Sequence, residues 1–165
     1  MKTLLAFASK TGTTRKAAEN LAEQLKGEVS ILNLQDKNYK NSRKEKVEDF
    51  NRIIIGGSIH IGKIQKSVRK FCQNNLEKIL QVKQLGLFIC CGEEEKAMEQ
   101  LENAFPEELL KKAAVKGLFG HEYNLDQISF VSRAILKKVA GIEKSESKIN
   151  YDNIKKFAKE LENSN

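Results

Sequence analysis

Short apolar runs alternate with longer stretches of helical period, and this order restricts the fold more than any single residue does. Thr3 to Ala8 is almost continuously apolar, Glu28 to Leu34 alternates, Arg52 to Gly56 carries Ile53, Ile54 and Ile55 in succession, and Leu85 to Cys91 is apolar again. Ala113 to Phe119 is a fifth candidate strand. Helical spacing appears in Thr14 to Lys26, through Ala17, Ala18, Leu21, Ala22 and Leu25, and again in Ile64 to Leu76, Glu94 to Phe105, Ile128 to Val139 and Asp152 to Leu161. A strand apolar on both faces has to be covered on both, and helical crossovers between parallel strands do this. The expectation is an α/β fold, a doubly wound five-stranded parallel sheet, in one domain spanning residues 1–165. Gly27 is placed to stop the first helix and Asp152 to cap the last. Gln35 to Glu48 reads as a solvated loop or an exposed polar helix.

Where the first strand meets the first helix the chain reads Ser9-Lys10-Thr11-Gly12-Thr13-Thr14. Amide groups at a helix start lack intrahelical partners and carry the positive end of the helix dipole, so an anion there gains several hydrogen bonds together. Ser9, Thr11, Thr13 and Thr14 add hydroxyls, and Gly12 admits a ligand close to the backbone. One such hydroxyl would merely cap the helix, whereas four around a glycine exceed what capping needs, and the loop reads as a phosphate site. It has neither the Gly-x-x-x-x-Gly-Lys-Ser/Thr run of a nucleoside triphosphate loop nor the Gly-x-Gly-x-x-Gly of a dinucleotide loop. In open α/β sheets ligands bind beyond the carboxyl ends of the strands, where two more loops fall. The loop Gly56 to Ile64 offers Gly56, Gly57 and Gly62 around Ser58 and His60 for approach to something flat, and Gly92 to Glu95 supplies a further glycine turn after Cys91.

The 165 residues carry 29 Lys and Arg against 22 Asp and Glu, a formal charge of +7 and a pI of about 9.3. This sign bears on partners, not fold. The basic residues are scattered and lack aromatic interleaving, so no nucleic acid is expected. No apolar run approaches the roughly 20 residues of a membrane span, and the expectation is a cytoplasmic chain. Cys72, Cys90 and Cys91 form an odd set that matches neither a disulfide framework nor a Cys-x-x-Cys site, and buried reduced thiols are expected, with no metal. The first strand ends in Ala8-Ser9 without the acidic cluster with which a receiver domain binds a divalent ion.

On Phe7, Ser9-x-Thr11-Gly12-x-Thr14, Ala18 and Leu21 the chain resembles the flavodoxin family. The resemblance implies strand order 2-1-3-4-5 and flavin mononucleotide (FMN) held by the loops after strands 1, 3 and 4. The implied cofactor residues are Ser9, Lys10, Thr11, Gly12, Thr13 and Thr14, then Gly57, Ser58, Ile59, His60, Ile61 and Gly62, then Cys91, Gly92 and Glu93. It also implies that a peptide at the second loop turns over on flavin reduction, with Gly62 as the hinge. The stretch Ile55 to Gly62, with Gly117-Leu118-Phe119-Gly120 through Gly141-Ile142, is most similar to flavodoxin-type, quinone-dependent protoporphyrinogen oxidases.

Small flavodoxin carriers are acidic and stack the flavin between aromatic side chains, whereas this chain is basic and holds no Trp. That departure suits an oxidoreductase with one flavin face open to substrate, and the resemblance to the oxidases implies a porphyrinogen substrate and a quinone acceptor. A small electron-transfer flavodoxin without its own substrate is the alternative, and a flavin-free anion-binding regulatory module is a second. Inward-facing Glu93, Glu94 and Glu95 would disfavour an anionic reduced flavin, and His60 and Lys63 would favour it. His60, and likewise His121 and Tyr123 after the fifth strand, are either ligand contacts or surface residues. Cys90 and Cys91 point to opposite faces of their strand, so at most one reaches a ligand. The stretch Ile128 to Val139 aligns Ile128, Val131, Ile135 and Val139, with Phe130 and Leu136 off that stripe and Arg133, Lys137 and Lys138 nearby. It either covers its own sheet or makes a peripheral membrane contact, where a quinone would be found.

Overall fold

The computed structural model describes residues 1–36, 46–123, 129–141 and 144–164. Its central parallel sheet places β2 (Glu28–Asn33) beside β1 (Lys2–Ala8), then β3 (Arg52–His60), then β5 (Gln84–Cys90) and β6 (Val115–Leu118). This is the expected order 2-1-3-4-5, with β4 (Lys63–Ile64) folded back antiparallel on the end of β3. Successive residues divide between two cores. Leu4, Ala6, Ala8, Ile53, Ile55, Leu85, Leu87 and Ile89 face one, and Leu5, Phe7, Ile54, Phe88 and Cys90 face the other.

The first core is closed by α2 (Lys66–Asn74), α3 (Leu76–Gln81), α4 (Ala97–Ala104) and α5 (Glu107–Lys112), through Val68, Phe71, Ile79, Leu101 and Leu109. The second is closed by α1 (Thr13–Gln24) and α7 (Tyr151–Asn163), through Leu21, Ile154, Phe157 and Leu161. There Phe119 stacks on Phe88 at 4.6 Å and meets Phe157 edge-on at 5.3 Å. A Cβ on Gly56 would lie 2.1 Å from the Phe88 ring, so no side chain fits at that position. At the opposite end of the sheet from the predicted loops, buried Arg52 donates to Gln84 Oε1 at 2.5 Å and to Glu162 Oε1 at 2.6 Å, while Gln84 Nε2 donates to the Leu161 carbonyl at 2.6 Å. These bonds fasten the end of α7 to the sheet.

Several boundaries differ from the sequence pattern. Ile64 belongs to β4, and the single helix expected to Leu76 is broken at Asn75, whose Nδ2 donates to the Phe71 carbonyl at 2.8 Å in competition with the helix ladder. Glu94–Lys96 is a 3-10 turn ahead of α4, and α5 restarts the chain after Pro106, whose fixed φ suits a helix entrance. The cap of α7 is Asn150, accepting from Asn153 N at 2.9 Å, and not Asp152. Helix α1 stops at Gln24, and Gly27 at φ 93° turns the chain into β2. In the stretch Gln35 to Glu48, residues 37–45 lie outside the described residues, and Val47 is buried in a 3-10 turn.

The largest departure is an antiparallel ribbon of β7 (Gly120–Tyr123) and β8 (Glu146–Ile149) with α6 (Phe130–Ala140) between them in sequence. Phe130, Val131 and Ile135 on α6 are 84%, 66% and 55% exposed, so they do not cover the sheet. Ile128 and the side chains of Leu136 and Val139 lie outside the described residues. Among the described residues no helix is long and apolar enough to cross a membrane.

Candidate functional site

Buried β1 delivers Ala8 to the carboxyl edge of the sheet, and Gly12 at φ 94° turns the chain into α1. The first turn of α1 has neither an acidic residue nor a side-chain cap on Gly12, which leaves its positive end without a counter-charge of its own. Ser9 Oγ accepts from Arg15 N at 3.2 Å and so keeps its own O–H to donate. Ser9 N is taken by Asn33 Oδ1 at 3.4 Å. Thr13 donates its hydroxyl to the Glu122 carbonyl at 3.3 Å and offers a ligand only its main-chain N–H. Thr14 Oγ1 is fully enclosed and has no hydrogen-bond partner of normal geometry among the described residues. A buried hydroxyl left unpaired costs about 1–3 kcal/mol, which an anion at the helix start would recover. Thr11 and Gly12 are half-buried around this opening, and Lys10 is exposed beside it.

The second loop is a hairpin. β3 runs through Gly57, Ser58 and Ile59 to His60, Ile61 and Gly62 form the tip, and β4 returns. Ile61 at φ 50° and Gly62 at φ 68° give two adjacent left-handed residues, the pattern of a type I′ turn. Ile61 is fully exposed, and a Cβ on Gly62 would meet nothing within 4 Å, so this tip borders open space. Gly57 differs: Gln65 Oε1 and Ile64 already fill the place of its side chain, which makes it a packing glycine like Gly56. Gln65 was not singled out by sequence, yet it joins the first two loops. Its Nε2 donates to the Ala8 carbonyl at 3.3 Å and to Ser58 Oγ at 2.5 Å, and its Oε1 accepts from Ser58 N at 2.9 Å.

His60 Nε2 lies 3.3 Å from Ser58 Oγ. Desolvation first and the Lys10 cation second hold the imidazole below its ordinary pKa, so it is neutral at pH 7. Cys91 packs into the first core and Cys90 into the second, as their alternation requires. Burial pushes Cys90 to about 12, against a lowering by the Thr14 hydroxyl beside it. Burial, then Glu93 and Glu94, push Cys91 to about 11. Both thiols are protonated at neutral pH and unsuited to nucleophilic work. Gly92, Glu93, Glu94 and Glu95 are exposed. Cys91 N donates to the Gly120 carbonyl at 2.9 Å, tying the third loop to β7. His121 on β7 is held below its ordinary pKa by desolvation and Lys148, against Glu146 and Glu94. Glu122 of the same strand pairs with Lys16 at 2.8 Å, so the ribbon braces the first turn of α1.

A family model, the flavodoxin domain, matches residues 4–150. The chain belongs to this flavodoxin family. Solved structures share the fold at low identity. The flavodoxin of Fusobacterium nucleatum bound to flavin mononucleotide is 15% identical, with 98% of this chain and 97% of that one aligned at a TM-score of 0.52. A Streptococcus pneumonia flavodoxin is 15% identical over 99% of both chains at 0.53. The rubredoxin oxygen:oxidoreductase of Desulfovibrio gigas is 16% identical over 97% of this chain at 0.55, and this chain spans 35% of its length. No curated protein shows a significant match. In this flavodoxin domain the loops after β1, β3 and β5 lie at the carboxyl edge of the sheet; Gln65 joins the first two, Asn33 ties the first to the end of β2, and β7, through Gly120 and Glu122, links the third to the start of α1. Asn33 shows in the sequence only as a polar residue ending a strand, and nothing local marks Gln65 or Glu122.

Proposed function

We propose that residues 1–165 act as one flavodoxin-like domain that binds FMN and serves as an oxidoreductase. The cofactor is FMN, and the observation that carries the reading is the start of α1, which has no side-chain cap and no acidic residue and carries the enclosed Thr14 hydroxyl, with only the weakly accepting Cys90 sulfur beside it. Ser9 and Thr14 hydroxyls, with main-chain N–H groups from Thr11 to Thr14, hold the phosphate. The hairpin Ser58 to Gly62 lies along one edge of the flavin ring and Gly92 and Glu93 along another. Bound FMN supplies one- and two-electron transfer, and the chain's part is to hold it and set its surroundings. A neutral His60 brings no charge to the ring, Lys10 and Lys63 favour negative charge there, and Glu93 to Glu95 oppose it. Gly62 has the room and the conformational freedom for a peptide rearrangement at the tip.

No Phe, Tyr or Trp occurs from Gly57 to Ile64 or from Cys91 to Lys96, and with His60 as the one ring in these loops a flavin face is left open for a substrate. This supports an enzyme that takes electrons from a reduced organic substrate of the porphyrinogen class and passes them to a quinone. The near-complete alignment with single-domain flavodoxins supports a second reading, an electron carrier between protein partners. Anaerobic mixing of the FMN-loaded chain with protoporphyrinogen and menaquinone separates them. Catalytic porphyrin formation supports the enzyme. Electron exchange with a flavodoxin reductase alone refutes it in favour of the carrier.

A further inference from the structure

His60 ends β3, and its neighbour Ile59 packs against the first core, so alternation puts Ser58 and His60 together on the other side of the sheet, the side on which α1 starts. Ser58 stands opposite Cys90 in the ladder, and the Thr14 hydroxyl lies beside Cys90. The hydrogen bonds behind Ser58 run in one direction only. Its N–H can only donate, so the Gln65 atom 2.9 Å away is Oε1, and the Ala8 carbonyl can only accept, so the Gln65 atom 3.3 Å from it is Nε2. Gly57 leaves room for this amide, since Gln65 Oε1 lies 2.6 Å from where a Cβ on Gly57 would stand. With Gln65 Nε2 donating to Ser58 Oγ at 2.5 Å, the one proton of that hydroxyl goes to the remaining neighbour, His60 Nε2, at 3.3 Å. Nε2 therefore accepts, and the proton of the neutral ring sits on Nδ1. Lys10, the cation that bears on the ring, and Lys63, opposite His60 in the hairpin, are donors only and cannot reverse this. Among the described residues the ring makes this one hydrogen bond, which leaves Nδ1–H for a ligand.

We propose, on the FMN reading above, that Gln65 and Ser58 are positioning residues that lock His60 in the Nδ1–H tautomer, and that this N–H is a fixed, uncharged donor to an acceptor atom of the flavin ring. A histidine in water favours Nε2–H, so the bonds from Gln65 through Ser58 reverse the ring's own preference. The flavin ring carries carbonyl oxygens and unprotonated nitrogens that accept such a bond. A donor held in one direction strengthens binding without the charge that an imidazolium or a lysine would add, whereas a ring free to keep its proton on either nitrogen presents it for only part of the time.

The test is ¹H–¹⁵N correlation spectroscopy of the imidazole groups at about pH 8, where histidine is neutral, on the full chain without ligand and with FMN or riboflavin. The chain has two histidines, so His60→Leu assigns the signals. The expected result without ligand is an Nδ1–H ring at His60, kept by Ser58→Thr. Ser58→Ala is expected to release the ring to Nε2–H, and so is Gln65→Glu, because a carboxylate takes the Ser58 proton and Oγ then accepts from Nε2–H. Both flavins are expected to shift the Nδ1–H signal and slow its exchange with water. His60→Leu and Ser58→Ala are each expected to weaken FMN binding by about twofold to tenfold, and the double substitution by no more than either alone, with native circular dichroism throughout. An Nε2–H ring in the ligand-free wild type, or a tautomer untouched by both Ser58→Ala and Gln65→Glu, overturns the proposal. So do additive losses in the double variant. FMN binding that leaves the Nδ1–H signal unmoved also overturns it, while the cofactor reading stands. Absence of FMN binding fails the cofactor reading itself and takes the flavin acceptor with it.

Discussion

Replacing Ile61 with Asn tests the hairpin at the candidate flavin edge most sharply. Ile61 sits at φ 50°, a left-handed conformation that costs an L-residue roughly 1–2 kcal/mol and a β-branched one the upper part of that range. Its side chain is 102% exposed, so the substitution forfeits no burial. Asn tolerates the left-handed region and is favoured in type I′ turns, so Ile61→Asn is expected to stabilise the ligand-free protein by about 1 kcal/mol. For a chain of this length that raises Tm by roughly 2–4 °C, measured by circular dichroism on the FMN-free protein. In the same variant FMN affinity falls, because an apolar side chain beside the ring has been lost. An unchanged or lower Tm without FMN refutes the turn assignment. A raised Tm with unchanged FMN affinity keeps the turn and refutes Ile61 as ring cover.

Gly56→Ala is expected to destabilise the protein by about 1–3 kcal/mol in urea unfolding, since the new methyl meets the Phe88 ring; FMN affinity at a temperature where the variant is folded is expected to stay within about twofold. Burial raises the Glu162 pKa, but the bonds it accepts from Arg52 and Lys26 N outweigh this and leave it below its ordinary value. The carboxylate therefore stabilises the fold above an unfolded pKa of about 4.3, and this contribution is lost as pH falls through the lower folded value. Glu162→Gln is expected to cost about 2 kcal/mol at pH 7, because Arg52 is left buried, and the gap to wild type closes in acid unfolding curves below about pH 4.

The strands were legible because β1, β3 and β5 bury both faces, which makes their apolar runs nearly continuous whatever the neighbours are. Gly120 to Tyr123 and Glu146 to Ile149 are mixed in composition, so their pairing lies in tertiary contact and not in local pattern. The hydroxyl loop was legible as a loop, but the division of labour in it was not. The Thr13 partner is 109 residues away on β7, and only this contact separates a spent hydroxyl from the unpaired one on Thr14. Gln65 is silent in sequence for the same reason, since its role exists only once β1 and β3 lie side by side. Conversely, Gly56 and Gly57 looked like glycines for a ligand because sequence cannot distinguish close approach of a ligand from close approach of Phe88 or Gln65.

The central claim is that the start of α1 grips a phosphate through Thr14 and its neighbouring amides. Fluorescence-quench titration of the FMN-free chain with FMN and with riboflavin, which lacks the phosphate, tests it directly. FMN is expected to bind at least a hundredfold more tightly than riboflavin, and Thr14→Val to remove at least tenfold of that preference while leaving riboflavin affinity unchanged, as loss of a hydrogen bond to a charged group of about 1.5–3 kcal/mol requires. Equal affinity for the two flavins, or a preference untouched by Thr14→Val, would contradict the account.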